Sequence, residues 1–356
     1  MKDFRKIVYL GFNSMYTHKR GVENVIHFQS LASPFKINYY LHWDKQTRVR
    51  RYQNLICVGV KKNVFWFLTL NFILSKLKNR DKLFIHSHNP LMSIVSIYRS
   101  NLFTVHDALY YLTQASKYKF QFFFWILEKM LYLRCNYVHF ISDYTKKMSL
   151  FTNSKNFVIT PNTSHLESLK IDKFNNNDNL VKYTEGFTKV FTVRSIEKRA
   201  LINLIIEVAD KLKTEKIEFF IAGKGPLLNF YRDQIKRLGI KNITLLGYIS
   251  DFELIHYYHQ CDLVLIPADF GEGFGLPIIE AYLFDKPVIS SNVCAIPDII
   301  ISNDFLFNNT TESIISKIFF AKNQNQFQFK SYYDDVFSNK VVYFQIKQLY
   351  LKLACK

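Results

Sequence analysis

Cysteine is scarce in this 356-residue chain and nowhere closely paired. Its five residues, Cys57, Cys135, Cys261, Cys294 and Cys355, are odd in number and include no Cys-x-x-Cys spacing. That argues against a disulfide-stapled secreted scaffold or a zinc ribbon and suits thiols in a reducing compartment. No stretch reaches the ~20 uninterrupted apolar residues of a membrane-spanning helix. The opening MKDFRKIVYLGF carries charges but no apolar core or cleavage site, so no secretory leader is expected. A cytoplasmic chain is expected, soluble or peripheral on the inner face of the cell membrane. Acidic residues are short in the first half. Residues 1–180 hold 26 Lys and Arg against 10 Asp and Glu, and the remainder 21 against 19. The net charge of +18 is therefore segregated, which implies that the first half faces something acidic such as phospholipid, anionic glycan or nucleic acid. No helix-turn-helix, zinc or RNP-type motif accompanies that charge, so a nucleic-acid partner is not expected.

What the sequence does contain is a repeated alternation of short apolar runs and helix-length segments. The runs are KIVYLG (6–11), KLFIHSH (82–88), LFTVHD (102–107), YVHFIS (137–142) and FVITPN (157–162). The second half continues with KVFTVRS (189–195), IEFFIAGKG (217–225), ITLLGYI (243–249), DLVLIPAD (262–269) and PVISSN (287–292). Runs that are apolar at nearly every position read as parallel strands covered on both faces, and each series can fill one doubly wound sheet. The Asn-rich stretch 171–186 has little to bury and reads as a linker. The expected organisation is a first α/β domain over 1–170 and a second over 187–340. A terminal amphipathic helix, 341–356, would cross back to the first domain.

The chemistry concentrates in FGEGFGLPIIEAYLFDKPVISSN (270–292). Gly271, Gly273 and Gly275 follow a strand, and Pro277 stands where a helix should begin. Proline there loses no hydrogen bond, and glycines let the backbone approach a ligand. The helix tip offers a partial positive charge suited to a diphosphate. Glu272 in the loop and Glu280 in the first turn would face one cleft and accept hydrogen bonds from sugar or ribose hydroxyls.

This segment resembles the family 4 retaining glycosyltransferases of the GT-B fold, whose signature sets two glutamates around a GFGLP core. The resemblance implies two Rossmann-like domains facing each other across a cleft. It gives Glu272 to the donor sugar and Glu280 to the ribose, with Gly273, Phe274, Gly275 and Leu276 lining the nucleotide sugar. FTVRSIEKRALINLI (191–205) resembles the strand and helix that supply an arginine and a lysine to the diphosphate. Arg194 matches the arginine. For the second cation Arg199 falls in register and Lys198 lies one residue early; Lys198 is preferred because a one-residue deletion in the loop is easily absorbed. The family's following glycine is absent. In IAGKGPLLNFY (221–231), Gly223, Gly225 and Pro226 resemble the glycine-rich turn beside the nucleotide, and LLGYIS (245–250) the segment that holds the base, near Tyr248.

In the first half, TVHDALY (104–110) makes His106 the candidate donor-sugar contact. Gly21 keeps one of the family's paired opening glycines, with Arg20 in the other's place. His86 and His88 could ligate a metal, but no third ligand supports that, and a structural role is expected. The chain has no Asp-x-Asp triplet, the pair on which many transferases of another fold hold a divalent metal. The leaving diphosphate would then be stabilised by Arg194, a neighbouring cation and helix N–H groups. No resident metal or cofactor is expected; the donor is a UDP- or GDP-type sugar. The expected reaction moves a hexose to a glycan or lipid-linked acceptor in surface polysaccharide biosynthesis. A GT-B sugar-nucleotide epimerase and a catalytically silent GT-B binding subunit are the alternatives. Two aromatic segments with basic ends, 63–80 and 117–134, either pack their apolar sides on the first sheet or lie on an anionic membrane; most of each is expected to pack on the sheet, with the positive excess favouring a membrane-facing surface around them.

Overall fold

The computed structural model describes residues 4–16, 21–78, 82–115, 120–151, 156–169, 183–322, 324 and 326–355. The chain divides into two compact units, Met1–Thr163 with Asn339–Lys356, and Ser164–Ser338. The first division thus falls at Thr163, ahead of the expected linker. Ser164 caps a short 3-10 helix, His165–Ser168, whose Glu167 accepts a hydrogen bond from Tyr333 at 2.8 Å inside the second unit. Most of the stretch read as a linker, 171–182, lies outside the described residues.

In the first unit the chain runs β1 (Phe4–Leu10), α1 (Gly21–Leu31), β2 (Ile37–Asp44), β3 (Val49–Tyr52), β4 (Leu55–Lys61), α2 (Trp66–Lys78), β5 (Lys82–Ser87) and α3 (Pro90–Val95). It continues through β6 (Leu102–Val105), α4 (Leu109–Ala115), α5 (Gln121–Leu133), β7 (Val138–Phe140), α6 (Asp143–Met148) and β8 (Phe157–Ile159). The sheet order is β3-β4-β2-β1-β5-β6-β7-β8, with only β3 antiparallel. Alternate residues of β1 feed opposite cores, as the two-residue strand period requires. Ile7 and Tyr9 join α1 on one face, and Val8 and Leu10 join α2 on the other.

Strands β2, β3 and β4 were not anticipated. Polar residues interrupt β2, yet His42 buries with a local partner, its Nδ1 bonding the Trp43 carbonyl at 3.0 Å. β3 is an exposed edge whose Arg50 and Arg51 blunt it against further pairing.

The last helix, Asn339–Ala354, completes the first core, with Val342, Ile346, Leu349, Tyr350 and Ala354 buried on one stripe. Its Tyr350 joins a buried chain of polar groups. His139 Nε2 lies 3.0 Å from the Thr160 carbonyl, which can only accept, so the sense of the chain follows. Thr104 Oγ1 donates to His139 Nδ1 at 2.9 Å and accepts from His86 Nε2 at 2.7 Å. His86 Nδ1 then accepts from the Tyr350 hydroxyl at 2.8 Å. Burial drives His86 and His139 toward the neutral form that this scheme needs, His139 to about 4.

Helices α2 and α5 depart from the expectation that most of each packs on the sheet. Only Leu70 and Leu74 of α2 are buried. On α5 the buried residues are Glu128, Leu131 and Tyr132, while Phe122, Phe123, Trp125, Ile126, Met130 and Leu133 are exposed. Glu128 turns inward because it accepts from Tyr110 N at 2.7 Å, Leu150 N at 2.8 Å and the Tyr132 hydroxyl at 3.2 Å.

The second unit runs β9 (Thr188–Val193), α7 (Ile202–Lys211), β10 (Ile217–Ala222), α8 (Leu228–Leu238), β11 (Ile243–Gly247), α9 (Asp251–Gln260) and β12 (Leu263–Ile266). It ends with α10 (Leu276–Leu283), β13 (Val288–Ser291), α11 (Ile296–Ile299), β14 (Leu306–Phe307), α12 (Thr311–Ala321) and α13 (Phe329–Val336), the closing helix above being α14. Its parallel sheet has the order β11-β10-β9-β12-β13-β14. Both sheets reverse direction once, between β1 and β5 and between β9 and β12, and ligands of such sheets bind at the carboxyl ends of the strands there.

Replacing Tyr350 with Phe removes the donor to His86 and leaves a buried lone pair. The expected cost is about 1–3 kcal/mol, read as a lowered urea midpoint of the purified protein.

Candidate active site

The switch point of the second sheet is built from the loops after β9 and β12. Arg194 follows β9 directly, and Glu272 lies in the glycine loop after β12. Their side chains meet with Arg194 Nη2 2.8 Å from Glu272 Oε2, although 78 residues separate them. The arginine side chain is only 6% exposed and the glutamate 17%. One guanidinium nitrogen, Nη1, is buried with no hydrogen-bond partner. Burying an unpaired donor on a charged group costs free energy unless a ligand or water completes it.

The backbone beneath Arg194 leaves no room for side chains. A Cβ on Gly223, whose φ is +141°, would stand 1.7 Å from the Arg194 carbonyl oxygen, and one on Gly225 2.3 Å from that of Ile196. Hydrogen bonds stitch these loops in order, Arg194 N to Ala222 O at 3.0 Å and Gly223 N to Gly247 O at 2.7 Å. The glycine turn therefore supports the arginine from below. Pro226 is exposed in that turn, and Tyr248, 72% exposed, carries the Lys224 ammonium 4.8 Å from its ring centre.

The two competing cations separate clearly. Arg199 donates from Nη1 to the Gly271 carbonyl at 2.6 Å and lies near Glu197, so it braces the glycine loop. Lys198 is exposed, and among the described residues no hydrogen bond or ion pair engages its ammonium. No glycine follows it; Leu201 makes the turn instead at φ 51°, a left-handed conformation costing about 1–2 kcal/mol.

The glycine loop enters α10 through Gly275 at φ 94°, with Leu276 half-buried at the first helical position and Pro277 next. Gly273 is buried. Phe274 does not line a ligand surface with its ring, which is 3% exposed and packs against Phe337 at 6.1 Å. Glu280 stands one turn deeper in α10 than expected and is buried. The Tyr258 hydroxyl donates to its Oε2 at 3.1 Å. Burial pushes the Glu280 carboxyl up, and the nearby His165 opposes that shift. Tyr258 was not singled out in the sequence; a tyrosine amid three aromatic or histidine neighbours in HYYHQ carries no local sign of its partner.

In the first unit, Gly21 opens α1 and is exposed, while Arg20 lies outside the described residues. His106 sits just past β6, half-buried, with Nε2 2.8 Å from His88 Nδ1. His86 is occupied on both ring nitrogens by Tyr350 and Thr104. Among the described residues no group of three His, Cys, Asp or Glu side chains is arranged to hold a metal ion.

Residues 173–334 match the family model described as glycosyl transferases group 1. The matched segment falls within the second unit. An uncharacterized 41.2 kDa protein in the cps region of Klebsiella pneumoniae is 32% identical over 96 residues, 27% of this chain and 24% of that protein. The serotype-specific mannosyltransferase WbdA of Escherichia coli is 26% identical over 184 residues, 48% of this chain and 21% of WbdA. The chain thus spans about a quarter or less of the length of these relatives. HepE from Anabaena, solved in complex with UDP-glucose, superposes with a TM-score of 0.75 at 14% identity, covering 97% of this chain and 98% of HepE. That likeness shows the fold, the GT-B type with two parallel α/β units. Within the matched segment, Arg194, Glu272 and the glycine turns come together; Arg199 and Phe274 serve the loop and the core.

Gly223→Ala should destabilise the protein by about 3 kcal/mol, through backbone strain and a collision with Arg194. Gly239→Ala, where φ is +65° and nothing lies within 4 Å, serves as the strain-only control and should cost about 1 kcal/mol. Urea denaturation of both variants measures the difference.

Proposed function

We propose that the chain is a retaining, metal-independent glycosyltransferase. It moves a hexose from a UDP- or GDP-type sugar to a glycan or lipid-linked acceptor in surface polysaccharide biosynthesis. One observation carries the reading: a buried arginine is held by a glutamate at the switch point of the sheet and keeps one nitrogen unpaired. Breaking the glycosyl–phosphate bond builds negative charge on the departing diphosphate. Arg194 Nη1 would take that charge with the unengaged Lys198 and the α10 tip, all preorganised donors. Glu272, already fixed by Arg194, would accept from donor-sugar hydroxyls, and Glu280 from the ribose. His106 would contact the donor sugar. Retention follows from the resemblance, through front-face attack in which the donor phosphate helps to take the acceptor proton.

The relatives support the same class, a mannosyltransferase and a protein of a cps region, and HepE was solved with UDP-glucose. Replacing Arg194 with Gln, given a UDP- or GDP-sugar and a working acceptor, should lower kcat by about 10²–10³ while circular dichroism stays unchanged. Activity should persist in chelator. Sugar transfer that disappears with chelator and returns with manganese would overturn metal independence, and donor turnover without any acceptor would favour an epimerase.

The acceptor side is proposed to rest on an anionic bilayer. No helix among the described residues is long and apolar enough to cross a membrane. The outward aromatic face of α5 and the exposed Phe65, Phe67, Leu68 and Phe72 on and before α2 belong to the half that holds most of the positive charge. Apolar side chains framed by cations suit insertion at a headgroup layer. The protein should float with vesicles of phosphatidylglycerol and phosphatidylcholine at low salt. Phe122→Ser with Phe123→Ser should weaken this markedly, and no binding by the unaltered protein would refute it.

A further inference from the structure

His88 was expected to be structural, but its position gives it a directed task. It follows β5 at the switch point of the first sheet, where its backbone N–H bonds the Leu10 carbonyl at 2.8 Å. The ring is 2% exposed, and its centre lies 4.4 Å from that of His86 and 5.1 Å from that of His106. His86 cannot be its partner, because both His86 nitrogens are taken. The remaining contact is His88 Nδ1 to His106 Nε2 at 2.8 Å.

A hydrogen bond between two neutral imidazoles holds one proton between the facing nitrogens, so choosing its owner fixes both tautomers. Burial keeps both rings neutral, lowering His88 well below its usual range and His106 to about 3. The other nitrogen of His88, Nε2, is buried with no hydrogen-bond partner. A stranded buried N–H is rarer and costlier than a stranded acceptor. The proton of His88 therefore belongs on Nδ1, where it donates to His106 Nε2. His106 must then carry its own proton on Nδ1, the ring nitrogen that no group among the described residues engages.

We propose that His88 is a positioning residue that fixes His106 as the Nδ1–H tautomer, so that His106 offers a hydrogen-bond donor to its ligand. The inference builds on the reading of His106 as a contact to the donor sugar. In that reading His106 would donate to a sugar oxygen, which restricts accepted donors to those with an oxygen at that place. The arrangement is the usual one for a working histidine, whose second nitrogen is held by a neighbour that decides which end is protonated.

The test is a long-range proton–nitrogen correlation spectrum of the full chain with ¹⁵N-labelled histidine at neutral pH, with His106 assigned from the His106→Gln variant. The unaltered protein should show His106 protonated on Nδ1. His88→Leu should release that preference, and His88→Asn, which keeps a side-chain N–H, should retain it. If His88→Leu fails to fold, the unaltered protein and His88→Asn still decide. Protonation on Nε2 in the unaltered protein, or an unchanged His106 tautomer in His88→Leu, would overturn the proposal. In transfer assays His88→Leu should lose about 10- to 100-fold in kcat/KM, as for other groups that orient a working histidine, with partial recovery in His88→Asn. Absence of transfer by every variant, with the expected tautomers, sinks the glycosyltransferase reading and leaves the role of His88 intact.

Discussion

A guanidinium buried at the end of a β-strand is the constraint around which the second unit is arranged. Arg194 is held by Glu272 on one nitrogen and has nothing on the other. Such a group is expensive to bury unless fully satisfied, and an ion pair of this kind is weak evidence for stability. The cost becomes intelligible if an anion completes the set. The surrounding features serve the same end. Gly223 lets the neighbouring loop close on the Arg194 carbonyl, Arg199 ties down Gly271, and Gly275 turns the loop into α10. Each limits the freedom of the arginine or of its glutamate, so the pair is preorganised.

The sequence was most legible where geometry forces residue type. Gly271, Gly275 and Pro277 announce a loop entering a helix, because few other residues tolerate those backbone positions. The resemblance gave Arg194 to the diphosphate and Glu272 to the donor sugar, but not their ion pair, since nothing local joins residues so far apart. What escaped were features decided by tertiary partners. Strand β2 hid behind its polar members Asn38, His42 and Asp44. Phe274 sits inside the signature yet faces the core, a choice made by Phe337 in a distant segment. Lys198 and Arg199 are adjacent and equally basic; only the position of the Gly271 carbonyl separates a brace from an unengaged cation.

Helix α5 shows the same limit in reverse. Its composition reads as a core helix, and a hydrophobic pattern alone cannot say which side is buried. Glu128 settles the matter by collecting two backbone N–H groups and a tyrosine hydroxyl inside the unit, and the aromatic side is left facing outward. A single buried carboxylate thereby converts an ordinary packing helix into an apolar external face. Among residues of the first half it is this inversion, more than the excess of lysine and arginine, that supports the proposal of a covered surface.

The closing helix has a consequence for biosynthesis. Strands β1, β2 and β5 present Tyr9, Tyr40 and Phe84 to a core that stays open until Ile346 and Tyr350 arrive. Because those residues are translated after Ser164–Ser338, the amino-terminal unit emerges from the ribosome without a closed interior, while Ser164–Ser338 can finish earlier. The nascent first unit must wait with its aromatic sheet face uncovered, which reverses the usual order in which domains mature along a growing polypeptide.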